Sequence, residues 1–140
     1  MKSKIILIIK ILLASLFIYA GVYKIVDISL FKSQLYQSPL IPAFLVPYIG
    51  VLFPLLEILL SIFLIFYKRV EYTLLWLSFS IMLFFTFYLL MLYNLYDKPP
   101  CSCGGILNDM SYSTHIIFNI IFSLLSLISI AIYEKPKNYG

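Results

Sequence analysis

Cys101, Cys103 and His115 are the chain's whole stock of thiol and imidazole, and one polar stretch, KPPCSCGGILNDMSYSTHIIFN at 98–119, holds all three. Side chains at i and i+2 leave an extended segment on the same face. A disulfide needs Cα atoms about 4.4–6.8 Å apart, so closing this pair requires a bend. Pro99 and Pro100 frame such a bend, and Gly104 and Gly105 permit it. A ring that tight is strained, and strained, exposed disulfides are the oxidising, labile ones. The chemistry this spacing suggests is reversible thiol–disulfide exchange, with Cys101 and Cys103 as the pair and His115 managing the proton. Ser111, Ser113 and Thr114 are candidate N-caps for a helix after the loop. The start of that helix, Lys98 or His115 would each stabilise a thiolate.

Two other readings use the same residues. Thiolate and imidazole suit copper(I) or zinc. Three ligands with no second Cys or His cluster fall short of a coordination sphere, and no metal is expected. The pair could also be a structural disulfide or two idle thiols.

Glu57 is the other residue that stands out, since it lies inside an apolar run where ionisable groups are expensive and usually functional. The alternative is a buried carboxyl that bonds a Tyr or Ser and fixes packing. Pro54, one turn earlier, frees a backbone carbonyl around Gly50. After His115, the residues Asn119, Ser123 and Ser126 come at helical spacing. This stripe should face the interior and bond a headgroup, a quinone oxygen or neighbouring helices.

These residues must be held by membrane-spanning elements. The chain is 63% apolar, 11% charged and has a mean hydropathy of +1.03. Soluble domains are about 45–50% apolar, so this chain could not cover a soluble surface. The net charge of +4 sits at the edges of apolar runs and has no base-stacking aromatics beside it, which excludes nucleic acid. A spanning helix takes about 20 apolar residues, and four segments qualify, at about 5–26, 48–67, 72–96 and 114–133. None shows the alternation of a membrane barrel. The fold expected is an all-α integral membrane protein, one four-helix transmembrane domain over 1–140 with an outward loop at 97–113. MKSKIILIIKILLASLFIYAG has no small-x-small cleavage site, so an uncleaved first span is expected.

Lys10 and Lys24 lie inside the ends of the first span, 14 residues or about 21 Å apart. Each is expected to snorkel to its own interface. With both termini cytoplasmic, seven of the ten Lys and Arg residues fall inside and only Lys24, Lys32 and Lys98 outside. The cysteine loop then faces outward, away from the cytoplasm, where thiols are readily oxidised. Between the first two spans, Ile28, Phe31 and Leu35 predict a short amphipathic helix, and Pro39, Pro42 and Pro47 break the chain between it and the second span. A plain connector fits equally well.

Three stretches carry a resemblance. YAGVYKIVD at 19–27, PLLEILLSIFLI at 54–65 and CSCGG at 101–105 resemble the MauE branch of the DoxX-like membrane proteins. The likeness covers nearly the whole chain in order, and MSYSTHIIFN at 110–119 looks like the version common in Bacteroidota. It implies a four-helix membrane bundle tied to thiol–disulfide chemistry beside an extracytoplasmic thioredoxin-like protein. Cys101 and Cys103 would be the redox pair, with Glu57 and Lys24 at the family's charged positions. The better understood membrane disulfide generators carry two cysteine pairs and this chain has one. The single pair must therefore touch donor and acceptor, or a partner must supply the second.

The function expected is a membrane thiol–disulfide redox protein, with a quinone as its conceivable cofactor. The alternative is a non-catalytic subunit of a larger membrane assembly, with the CSCGG loop as a docking turn. Whether the chain is itself an enzyme stays open at this point.

Overall fold

A computed structural model of the chain describes residues 1–95 and 112–133. Five α-helices make up nearly all of it: α1 (Lys2–Val26), α2 (Ile28–Gln37), α3 (Val46–Phe66), α4 (Glu71–Leu95) and α5 (Tyr112–Ile132). No strand occurs among the described residues. Short 3-10 turns, Ala43–Leu45 and Lys68–Val70, lead into α3 and α4. A hydrocarbon solvent offers backbone groups no partner, so an apolar chain satisfies them within helices.

Four stretches are long and apolar enough to cross a membrane: Lys2–Val26, Ala43–Phe66, Lys68–Leu95 and Ser113–Ile132. Their mean hydropathies lie between 2.1 and 2.6. The four apolar segments singled out in the sequence are therefore helical, with ends moved by a few residues. The expected α2 is present too. It buries Phe31 and Leu35 against α3 and leaves Ser29, Leu30, Tyr36 and Gln37 outward.

Local sequence explains where these helices start and stop. Asp27 ends α1 with its N–H bonded to the Tyr23 carbonyl, and its own carbonyl accepts from Phe31 in the first turn of α2. Ser38 precedes Pro39, which disfavours helical dihedrals, and Ser38 is extended at φ −76°, ψ 122°. Pro47 sits in the first turn of α3, where its missing N–H costs nothing. Pro54 lies inside α3 and removes one helical hydrogen bond, yet the helix runs on to Phe66.

α1 packs chiefly along α3 and α4 along α5, with α1 also against α5; α2 lies on α1 and α3. The main apolar core runs between the four long helices through Leu13, Phe17, Leu60, Leu64, Leu75, Met82 and Ile130. Smaller clusters form at Leu89 with Ile116, and at Phe31 with Leu35 and Val46. Ile8, Leu52, Phe84 and Ile117 point outward and are more than half exposed. Such a surface is unsuited to water and suited to acyl chains.

The structure corrects the expectation for two lysines. Lys10 and Lys24 do not snorkel; they are only 4% and 2% exposed. Lys10 Nζ lies 3.0 Å from Glu71 at the start of α4, and Lys24 Nζ lies 2.9 Å from Glu57 within α3. Each lysine meets a carboxylate on a neighbouring helix, and pairing offsets much of the desolvation that burial imposes.

Candidate functional site

The site begins with a missing side chain. Gly21 of α1 faces α3 so closely that a Cβ there would lie 2.8 Å from Ile58 Cγ1 and 2.9 Å from the Pro54 carbonyl oxygen. Small residues allow helix backbones this approach in membranes, where packing drives association. One turn beyond, Lys24 extends from the same face of α1. Its ammonium donates to both Glu57 oxygens, Oε1 and Oε2, at 2.9 Å each. Both side chains are buried.

Rings from three other helices close around the ammonium. Lys24 Nζ stands 4.9 Å from the ring centre of Phe53 on α3, 5.6 Å from Phe85 on α4 and 5.7 Å from Phe31 on α2. The negative faces of aromatic rings attract a cation, the more so when water is excluded. One lysine from α1 thus meets α2, α3 and α4. A salt bridge and three ring faces share the work of holding a charge in the low-dielectric interior.

The fifth helix completes the site. His115 and Asn119 are four residues apart on α5, on one helical face, and both are buried. They line a cavity of about 30 Å³ together with Lys24 and Glu57 and with apolar atoms of Phe17, Met82 and Phe85. The stripe read from the sequence does face inward: Ser123 and Ser126 are buried as well, and Ser123 donates to the Asn119 carbonyl at 2.8 Å. Helix α5 begins at Tyr112, so Ser113 and Thr114 fall in its first turn rather than at its cap. Cys101, Cys103, Lys98, the glycines of the CSCGG turn and Ser111 lie outside the described residues.

Beside this site, an apolar cleft of about 400 Å³ opens between α2, α3 and α4. Phe31, Phe53 and Phe85 line it, so the rings that face Lys24 also border the cleft. Tyr88 lines it too and donates its hydroxyl to Ser38 at 2.7 Å, tying α4 to the turn after α2. At the other end of the bundle, Lys2, Lys4, Lys10 and Lys68 surround a cleft with Glu71 and Tyr133.

The structure thus brings together four of the residues singled out in the sequence: Lys24, Glu57, His115 and Asn119. Sequence reasoning missed that Lys24 is Glu57's partner and that Phe31, Phe53 and Phe85 surround it. The available signal was the pairing itself, since opposite charges inside two spans are mutual candidates.

Long lipid-facing helices around a buried, charge-neutral polar site define a polytopic α-helical membrane protein. The family described as "Methylamine utilisation protein MauE" matches residues 2–132, and the chain belongs to it. Membership points to a membrane protein in a redox- or electron-transfer-related process. Neither the curated proteins nor the solved structures gave a match.

Proposed function

We propose that this protein is a thiol–disulfide redox protein of the bacterial inner membrane, acting through Cys101 and Cys103 on an extracytoplasmic thioredoxin-like partner. The observation that carries the reading is the family membership over 2–132, in a chain whose only two thiols stand on either side of Ser102 in a polar stretch of sequence. A thiolate of the partner attacks one sulfur of the Cys101–Cys103 disulfide. A mixed disulfide forms, and the other cysteine leaves as a thiolate. The partner's second thiol then displaces the first cysteine. The partner ends as a disulfide, and Cys101 and Cys103 as the reduced pair. His115 lies in the first turns of α5, and we assign it to donate the proton that the leaving thiolate takes up.

Regenerating the disulfide requires an acceptor for two electrons, and we propose a lipid-soluble quinone. The aromatic cleft of about 400 Å³ is within the size range of small-molecule sites, roughly 300–1,000 Å³. Phe53, Phe85 and Tyr88 would hold the ring. A quinone there would supply a two-electron, two-proton acceptor reached from the lipid.

Orientation is part of this reading. The lysines around the end formed by Lys2, Lys4, Lys10 and Lys68 favour placing that end in the cytoplasm, which puts the cysteine loop on the periplasmic side. A membrane-impermeant thiol reagent given to intact, mildly reduced cells should then label Cys101 or Cys103. Labelling only after the membrane is broken would reverse the topology and remove the redox reading. The direct test is trapping. A Cys101→Ser or Cys103→Ser variant should accumulate a partner as a mixed disulfide that reductant releases. If neither variant yields an adduct with a thioredoxin-fold protein, the loop is a docking element instead.

A further inference from the structure

Asn119 is 4% exposed, and its Nδ2 amide has no hydrogen-bond partner among the described residues. A buried amide left unpaired costs roughly 1–3 kcal/mol, a penalty that buried polar groups in folded proteins rarely carry. The same side chain borders the cavity of about 30 Å³ shared with Glu57, Lys24 and His115. One water occupies about 10–15 Å³ of such space and needs two to four polar partners. The cavity offers that room, an unpartnered donor and a carboxylate. Each Glu57 oxygen accepts one bond from Lys24 and has a further lone pair.

We propose that this cavity is a hydration site, in which one ordered water accepts from Asn119 Nδ2 and donates to the Glu57 carboxylate beside the His115 imidazole. The water supplies what the helices do not, a polar link between α5 and the ion pair that joins α1 to α3. The hydration site stands on the cavity and the amide alone and is independent of the cysteine chemistry.

Asparagine-selective 15N labelling of the full chain in nanodiscs tests it. There are four asparagines, Asn94, Asn108, Asn119 and Asn138. The Asn119 side-chain amide is assigned as the signal lost in Asn119→Asp. The expected result is a water-to-amide Overhauser cross-peak on Asn119 whose intensity does not change with pH, as exchange would. Its absence overturns the proposal. Thermal unfolding of Asn119→Leu gives a second reading with opposite signs. If a water bridges here, removing its donor lowers Tm by several degrees. If the cavity is dry, an apolar side chain of similar size relieves an unpaired amide and raises Tm, which also overturns the proposal.

Discussion

Replacing Lys24 with methionine should be the most damaging single change in the membrane interior. It leaves Glu57 buried without the ammonium that donates to both its oxygens at 2.9 Å. Removing one member of a buried ion pair costs about 3–5 kcal/mol, because the other charge is stranded. Glu57→Leu should do comparable harm from the other side, leaving a buried lysine that keeps its three ring faces but loses its counter-charge. Glu57→Gln should be milder, since the amide oxygen still accepts from Lys24. The double variant Lys24→Met with Glu57→Leu should recover much of the loss, because apolar pairs of similar volume often match buried ion pairs. Unfolding in a denaturing detergent, read for wild type, single and double variants, gives the coupling directly. Additive single effects would mean that the two residues do not depend on each other.

The second large effect is expected at Gly21. A side chain there meets the Pro54 carbonyl oxygen at 2.9 Å, and a backbone atom cannot rotate away. Gly21→Leu must push α1 from α3 at the level of the ion pair. Overpacking of this kind costs roughly 1–3 kcal/mol and sometimes more. Gly50 is a matched control. A Cβ there would lie 2.8 and 2.9 Å from Lys32 Cγ and Cε, the stem of a flexible side chain. Gly50→Ala should therefore lower Tm far less than Gly21→Ala, and equal losses would show that the α1–α3 approach is not what limits Gly21.

Hydropathy made the four spans legible, and the spacing of Ile28, Phe31 and Leu35 made α2 legible. The inward stripe on α5 could be read because His115, Asn119, Ser123 and Ser126 share one helical face whatever the helix packs against. The pairings could not be read. Lys24 and Glu57 are 33 residues apart, and which turn of α1 meets which turn of α3 depends on Gly21 and Ile58, whose fit is a matter of shape rather than polarity. Lys10 misled for the same reason. Seen alone at the edge of an apolar run it suggests an interface anchor, and only the placement of α4 shows Glu71 within 3.0 Å. The unpaired amide of Asn119 belongs to this class too, because a cavity is defined by several helices at once.

The ion pair also bears on how the chain is made. Ribosomal synthesis delivers α1 with its lysine well before α3 with its glutamate. In the interval Lys24 has no counter-charge, and a lone charge at the centre of an inserting helix costs about 2.5–3.5 kcal/mol. Lys24 lies near the end of α1 and can meanwhile reach the headgroups on its long stem. Glu57 lies in the middle of α3, where a charge is costly and the lysine offsets part of that cost. The helix made first thus carries the group that lowers the cost of inserting a later one, and α1 and α3 are best installed as a charge-matched pair.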